Sequence, residues 1–245
     1  MENARIDLKG VQETLLMPLW GRAVETEKEK PLLVDTEAVR ILKSVDYDFT
    51  KFERNVNPLS RASWISRSLY FDEKIRDYLA DNPGGTIINI GCGLDTTYER
   101  VNNGKAVWYE LDFPEVIETR RKLIDETENR TFLPFSVFDR TWYSRIGDKN
   151  TVLVMMAGVI YYFEEKEARE LFDTFAGEFG KTTVIFDYSS KRGIRVANKQ
   201  VIEEGGMDRS AYLKWGIDNI GDIEKWNDRI RIVDDMKMFR EHRKR

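Results

Sequence analysis

The sequence contains very little cysteine and histidine, which removes several kinds of site from consideration. Its 245 residues include one cysteine and one histidine, so an intrachain disulfide and a zinc site of the usual composition are excluded, and no metal is expected. The histidine, His242, lies in a charged C-terminal tail, which argues against catalytic triads that require a histidine base. The cysteine usage predicts a reducing, cytoplasmic location.

Long apolar runs and an excess of positive charge are also missing. No segment approaches the ~20 apolar residues that span a bilayer, and the stretch MENARIDLKG lacks the apolar core of a signal peptide. The formal net charge is −4, which argues against general nucleic-acid binding. We therefore expect neither a membrane nor a nucleic acid as a partner. The one basic cluster is predicted to be a solvated terminus and comprises Arg240, Arg243, Lys244 and Arg245.

Strand-like and helix-like segments alternate from Thr86 onward. Short apolar, β-branched runs predict five strands, namely TIINI, AVWYEL, TFLPF, TVLVMMA and TTVIFDY. Helical patterns separate them, and the longest places one apolar stripe at Ala168, Leu171, Phe172, Phe175 and Phe179. This alternation predicts an α/β, doubly wound, mostly parallel sheet. Helices are predicted before Thr86, at TEAVRILKSV and FDEKIRDYLADNPGG, and AYLKWGI near the C-terminus is predicted as a further strand.

The turn after the first of these strands, in IINIGCGLDTTYER, indicates a ligand site. Gly91 and Gly93 let backbone N–H groups approach a ligand. A dinucleotide fingerprint needs a third glycine at position 96, where this chain has Thr96, preceded by Asp95. A carboxylate there would repel a pyrophosphate but not an ammonium or a sulfonium. A phosphate-binding loop is excluded because no Gly-Lys-Ser/Thr follows.

Two acidic residues follow at the end of the second strand. Glu110 and Asp112 lie nineteen residues after Gly91 and Gly93 respectively, where a carboxylate can accept both hydroxyls of a ribose. An adenosine site with an acid in place of the phosphates favours S-adenosylmethionine over a nicotinamide cofactor. Simpler interpretations remain open at this point. Asp95 and Thr96 fit helix N-cap positions, and Glu110 and Asp112 fit solvated charges at a strand end.

Four motifs in order resemble the leucine carboxyl methyltransferase family, and in particular its bacterial branch of small-molecule and polyketide-type O-methyltransferases. The motifs are GCGLDTTYERV, WYELDFPEVIETRRKLI, SVFDRTW and AGVIYYFEE, and the resemblance runs from about Val11 to Trp226. It implies a class I, Rossmann-like methyltransferase that binds S-adenosylmethionine. It also implies a helical N-terminal lid region at residues 1–66, over a methyltransferase domain at residues 67–245.

The resemblance also implies roles for individual residues. Arg67 resembles the arginine that holds the methionine carboxylate of the cofactor, although an ordinary surface arginine would look the same. Gly91 lies where the family has the turn beneath the methionine, and Asp112 matches its ribose-binding aspartate. The adenine is expected at Ser136 and Val137, with Asp139 close by.

The fourth strand departs from the family's pattern. Protein-methylating relatives have Ala-Glu-x-x-x-x-Tyr there, whereas this chain has Ala157 and Gly158. The change argues against methylation of a phosphatase tail and fits a small-molecule acceptor, but it also raises the possibility of weakened catalysis. Tyr161 and Tyr162 follow and are the candidate catalytic residues; they orient an acceptor or serve only as packing aromatics. Arg22, in the lid, is expected either to face the site or to lie at the surface.

The resulting hypothesis is methyl transfer from S-adenosylmethionine to an oxygen of a small metabolite, either a carboxylate or an acidic hydroxyl. Two alternatives remain: a non-catalytic or regulatory protein that binds the cofactor, and a nicotinamide oxidoreductase, against which Thr96 counts. The acceptor's identity and the oligomeric state cannot be inferred from these residues.

Overall fold

The computed structural model describes residues 6–7, 13–199 and 212–237. The N-terminal part pairs two short parallel strands and packs four helices around them. In chain order these elements are β1 (Ile6–Asp7), α1 (Glu13–Thr26), α2 (Thr36–Ser44), β2 (Val45–Asp46), α3 (Thr50–Asn55) and α4 (Pro58–Asp81). No helix in the described ranges is both long enough and apolar enough to cross a membrane.

The remainder forms a five-stranded sheet with helices between its strands. These elements are β3 (Thr86–Ile90), α5 (Thr97–Val101), β4 (Val107–Asp112), α6 (Pro114–Arg121), β5 (Arg130–Pro134), β6 (Thr151–Met156), α7 (Glu165–Glu178), β7 (Lys181–Phe186) and α8 (Lys191–Ala197). The spatial order is β5-β4-β3-β6-β7, and every pairing is parallel. The prediction of a doubly wound parallel α/β sheet is therefore confirmed. The strand order reverses between β3 and β6, where such sheets bind their ligands.

Apolar periodicity positions the elements beside the sheet. The strands β3 and β6 are buried on both faces, as the apolar run of β6 predicts, and β3 buries the polar Asn89 as well. The predicted stripe of α7 is buried along its whole length. A capping box between Glu164 and Glu167 fixes the start of that helix. The carboxyl ends of β3 and β6 are thereby held together at one edge of the sheet.

The helix α4 begins thirteen residues before the predicted FDEKIRDYLADNPGG segment. The side chain of Asn57 caps it by accepting a hydrogen bond from the backbone N–H of Leu59 at 2.8 Å. The prediction missed this first half because Ser66 and Asp72, which are polar, face the interior and interrupt the apolar pattern. The proposed boundary between residues 66 and 67 falls inside α4, so the lid region and the methyltransferase domain share one continuous helix.

The C-terminal segment does not extend the sheet, and the prediction of a strand at AYLKWGI is wrong for its described part. Lys214 N donates to the Tyr161 carbonyl at 2.7 Å, and Ile217 N donates to the Ser189 carbonyl at 2.9 Å. These donors therefore pair with the loops after β6 and β7 instead of with a neighbouring strand. RIRIVDD forms no strand either. His242 and the basic cluster lie outside the described residues.

Candidate active site

The glycine turn after β3 requires glycine at both predicted positions. Gly91 and Gly93 have φ angles of +65° and +46°, in the left-handed region that disfavours other residues. The backbone N–H of Gly91 donates to the Leu111 carbonyl at 2.8 Å. A Cβ at Gly91 would lie 2.5 Å from Cγ2 of Val159, and one at Gly93 would lie 2.9 Å from Cδ2 of Leu15. The turn is thus held against β4, the loop after β6 and helix α1.

Replacing Gly91 by alanine tests how tightly this turn is enclosed. We expect G91A to lose more stability than G104A, because Gly104 also has a positive φ of 74° but nothing lies within 4 Å of its would-be Cβ. Backbone strain alone costs roughly 1–2 kcal/mol, and overpacking against Val159 adds about 1–3 kcal/mol. Urea unfolding of both variants measures the difference. Equal losses would show that the contact with Val159 relaxes freely.

Asp112 lies at the end of β4, beside the turn. Its Oδ2 accepts from the backbone N–H of Gly93 and its Oδ1 from that of Phe113, both at 2.8 Å. Burial raises the pKa of Asp112, while these two hydrogen bonds oppose the rise. Each carboxylate oxygen can accept more than one hydrogen bond. The side chain is therefore oriented by the turn and keeps acceptor capacity for a vicinal diol.

Glu110 is placed differently from its prediction. Its side chain is completely buried, and Oε2 accepts from Arg120 Nη2 at 2.7 Å and from Arg130 Nε at 2.8 Å. The predicted direct contact between Glu110 and the ribose is corrected, because this carboxylate is enclosed by two arginines. Arg120 in turn donates to the carbonyls of Gly93 and Asp95 at 2.9 and 2.8 Å. Glu110 thus supports the turn from inside the protein.

The carboxylate of Asp95 lies directly before α5, whose N-cap residue is Thr96. Its Oδ2 accepts from the backbone N–H of Thr97 and from Asn89 Nδ2, both at 3.1 Å. Burial opposes ionisation, but the positive charges of Arg22 and Arg100 prevail and lower the pKa of Asp95 to about 2. The group is therefore negatively charged at neutral pH. Thr96 occupies the predicted N-cap position but makes no side-chain capping hydrogen bond, and contact between Asp95 and a cationic ligand stays a prediction.

Arg22 lies behind the turn. It is buried and pairs with Asp35, with Nε 2.8 Å from Oδ2. Its Nη2 also donates to the Leu94 carbonyl and to Thr96 Oγ1, both at 3.3 Å. Asp35 Oδ2 additionally receives Arg100 Nη1 at 2.8 Å. These contacts form a buried network between the lid and the start of α5, and the expectation that Arg22 faces a ligand is corrected.

Arg67 contacts a residue that the sequence analysis missed. Its Nη1 lies 2.9 Å from Oδ2 of Asp187, immediately after β7. The backbone N–H of Gly158 donates to the other carboxylate oxygen at 2.6 Å. Burial lowers the pKa of Arg67, but the negative charge of Asp187 outweighs this and raises it. One feature of the sequence could have indicated Asp187 as a site residue: it lies at the carboxyl end of a strand near the switch point of the sheet.

The two candidate tyrosines lie in a short 3-10 turn, Ile160–Tyr162, after β6. Tyr161 makes a side-chain hydrogen bond with Arg67, and burial raises the pKa of both phenols. Both hydroxyls are consequently protonated at neutral pH, so they can donate to an acceptor or orient it but are poor bases. Tyr188, which follows β7, donates to Asp235 Oδ1 at 2.7 Å.

The segment predicted to contact adenine follows β5. Asp112 pairs in register with Pro134, which brings Ser136 and Val137 to the edge of the sheet beside the predicted ribose acceptor. Val137 is buried, and its carbonyl accepts from Trp142 Nε1 at 3.1 Å. Asp139 is exposed and accepts from the backbone N–H of Thr141 at 2.9 Å. Its hydrogen bonds with Thr141 lower the pKa of Asp139.

These groups fit an extended adenosine-based ligand with an amino-acid end. The groups follow the order of the strands in the sheet. Arg67 lies at the ends of β7 and β6, and the glycine turn follows β3. Asp112 ends β4, and the segment predicted to contact adenine follows β5. The glycine turn provides the narrow cradle, since a side chain at either glycine would meet neighbouring atoms. S-adenosylmethionine presents carboxylate, sulfonium, ribose and adenine in this same order.

The sequence is similar to that of a methyltransferase family and to those of individual methyltransferases. The sequence profile of the family described as leucine carboxyl methyltransferase matches residues 15–176. The chain is 29% identical over 221 residues to the tetracenomycin polyketide synthesis O-methyltransferase TcmP of Streptomyces glaucescens. This alignment covers 89% of this chain and 80% of that protein. It is also 27% identical over 194 residues to the S-adenosyl-L-methionine-dependent methyltransferase dpfgK of Gibberella zeae. This alignment covers 73% of this chain and 65% of that protein.

Solved structures of methyltransferases are more distant. The magnesium protoporphyrin IX methyltransferase of Synechocystis PCC 6803, with bound S-adenosylhomocysteine, is 17% identical with a TM-score of 0.45, over 78% of this chain and 87% of that one. An O-methyltransferase family protein from Burkholderia thailandensis is 17% identical with a TM-score of 0.45, over 87% of this chain and 63% of that one.

The resemblance first indicated by four short motifs is confirmed by the family match, which covers more than half of the chain. This match decides against the nicotinamide oxidoreductase alternative. The chain belongs to the leucine carboxyl methyltransferase family and is an S-adenosylmethionine-dependent methyltransferase.

Proposed function

We propose that this enzyme transfers the methyl group to an oxygen atom of a small molecule, either a carboxylate or an acidic hydroxyl. The observation that carries the proposal is the chemistry at the end of β6. There, Gly158 stands beside Tyr161 and Tyr162, whose raised pKa values keep them protonated. The described residues contain no histidine. The acceptor must therefore be nucleophilic without help from a strong base.

A carboxylate or an acidic hydroxyl meets this requirement. Carboxylic acids are ionised well below neutral pH, whereas an ordinary phenol, with a pKa of about 10, gains from a general base. When bound, S-adenosylmethionine supplies an activated methyl group. The contribution of the protein is then mainly positional, and positioning alone can lower a barrier by ~7–11 kcal/mol. Protonated Tyr161 or Tyr162 can donate a hydrogen bond that orients the acceptor.

The N-terminal helices support a small acceptor. Leu15 of α1 lies close enough to Gly93 that an added Cβ would be 2.9 Å from its Cδ2. The buried pair of Arg22 and Asp35 fastens the same region to the turn. We therefore propose that residues 1–66 act as a lid over the site in residues 67–245, which favours a small acceptor over a protein tail. We also propose a cytoplasmic location, to which the single, buried Cys92 is suited.

Calorimetry and a methylation assay test the proposal together. We expect S-adenosylhomocysteine to bind with a Kd on the order of 1–100 µM, and methyl transfer to occur with acceptors in a panel of carboxylic acids and phenols. Carboxylate methylation should be nearly independent of pH above about pH 6, because the acceptor is already ionised. Phenol methylation should instead rise through the acceptor's own pKa.

Different failures have different meanings in this test. If S-adenosylhomocysteine does not bind at millimolar concentration, the cofactor site is wrongly placed. If it binds but no acceptor is methylated, the non-catalytic alternative returns. Methylation restricted to amines or to protein C-termini would contradict the proposed acceptor class while leaving the cofactor site intact.

A further inference from the structure

The missing acid at the end of β6 is matched by an acid on the neighbouring strand. The carboxylate of Asp187, after β7, lies against both the backbone of Gly158 and the side chain of Arg67. The strands β6 and β7 are adjacent and pair in register up to Met156 and Phe186. Asp187 therefore supplies a negative charge at this end of the sheet, although Ala157 and Gly158 replace the family's glutamate motif.

We infer that Asp187 is a positioning residue for cofactor binding, which holds Arg67 so that its remaining donors face the methionine carboxylate. This inference rests on the proposed cofactor site. A guanidinium has five N–H donors in a fixed planar fork. In the described residues, the contact with Asp187 is made through Nη1. Tyr161 also makes a hydrogen bond with this guanidinium, so the group is held by two side chains while its remaining donors are oriented to bind a carboxylate by two parallel hydrogen bonds.

Both carboxylate oxygens of Asp187 hold donors of the protein, and one of these donors belongs to Arg67. Oδ1 accepts from the backbone N–H of Gly158 at 2.6 Å, and Oδ2 accepts from Arg67 at 2.9 Å. The carboxylate is largely buried, with a side-chain exposure of 10%. A buried, charged acceptor with two donors is fixed in place, so the guanidinium that it holds has a defined orientation.

Gly158 is the second part of the same arrangement. Its φ is +79°, and a Cβ built on it would lie 2.9 Å from Nη1 of Arg67 and 3.3 Å from the Tyr161 hydroxyl. A glutamate or an alanine at this position would therefore displace the arginine. The absence of a side chain at position 158 and the presence of a carboxylate at position 187 are thus two requirements of one placement of Arg67.

The test compares two ligands that differ only at the amino-acid end of the cofactor. 5′-Methylthioadenosine has the adenosine and the sulfur of S-adenosylhomocysteine but lacks the carboxylate and the ammonium. We expect D187N to raise the Kd for S-adenosylhomocysteine at least about tenfold, a change of ~1.4 kcal/mol, and to leave the Kd for 5′-methylthioadenosine unchanged. D77N, which alters an exposed aspartate of α4, should change neither value.

A double-variant cycle links the effect to the arginine. In an R67A background, D187N should have little further effect on S-adenosylhomocysteine binding, because the group that it positions is gone. If D187N does not fold, G158A provides the same test, since it keeps Asp187 but displaces Arg67; the same selective loss is expected.

The inference and the proposed function fail in distinguishable ways. If the wild type binds S-adenosylhomocysteine but D187N or G158A weakens both ligands equally, Asp187 has a general structural role and the inference is overturned. The same holds if neither affinity changes. If the wild type does not bind S-adenosylhomocysteine, the proposed cofactor site fails first, and the inference fails with it.

Discussion

Replacement of Glu110 by glutamine is expected to lower the free energy of unfolding by about 3–5 kcal/mol at neutral pH, without any ligand present. The side chain of Glu110 is completely buried between Arg120 and Arg130. A glutamine of the same shape would remove the counter-charge of the buried Arg120 and would leave Arg130 with Glu99 as its remaining ion-pair partner among the described residues. Because the two guanidinium groups cannot readily lose a proton, the whole penalty falls on stability.

The matched control is E115Q, on the exposed side of α6. Its effect on unfolding should stay within about 0.5 kcal/mol, as for most surface substitutions. Urea unfolding of the two variants without ligand separates the two roles considered for Glu110. If Glu110 contacted the ribose instead, E110Q would unfold like the wild type and would differ only in its affinity for S-adenosylhomocysteine. That outcome would contradict the buried ion pair.

Replacement of Asp112 by alanine has the second large expected effect, and it falls on binding. A hydrogen bond to a charged group contributes about 1.5–3 kcal/mol. Loss of the carboxylate that receives the ribose hydroxyls should therefore raise the Kd for S-adenosylhomocysteine roughly a hundredfold, or ~3 kcal/mol. D81N is the control, because Asp81 is an exposed aspartate at the end of α4, away from the predicted cofactor site.

Asp112 also receives the backbone N–H groups of Gly93 and Phe113, so a loosened turn must be distinguished from a lost ribose contact. An analogue of S-adenosylhomocysteine without the two ribose hydroxyls makes this distinction. It should bind weakly to the wild type and no more weakly to D112A. If D112A weakens both ligands by the same factor, Asp112 supports the turn but does not receive the ribose.

The sheet and the position of the site follow from local patterns in the sequence. The strand β6 is a nearly continuous apolar run, β3 is a short run rich in isoleucine, and α7 has a complete apolar stripe, so period and length suffice to predict them. The turn at Gly91 and Gly93 is equally local, because two glycines separated by one residue directly follow a strand. The role predicted for Asp112 required only one further observation, which is that this residue lies at the end of the next strand.

The parts that the sequence did not predict depend on partners far away in the chain. Glu110 and Asp112 are two residues apart in one strand and looked equivalent. Arg120 and Arg130 enclose Glu110, and their approach to it is a product of the fold. Asp187 contacts Arg67 across 120 positions of the sequence. No local sequence pattern predicts such a pairing. It becomes visible only in the folded chain, where burial brings the two charges together.

The network at the start of α5 bears on where this enzyme can be divided. Asp35 belongs to the segment before α2, yet its carboxylate neutralises Arg100 of α5 and receives the hydroxyl of Thr96 at 2.5 Å. A chain cut before α4 would leave Arg100 with Asp72 as its remaining ion-pair partner among the described residues. The N-terminal region is consequently an internal support of the turn that follows β3, because Asp35 joins it to Arg100 and Thr96.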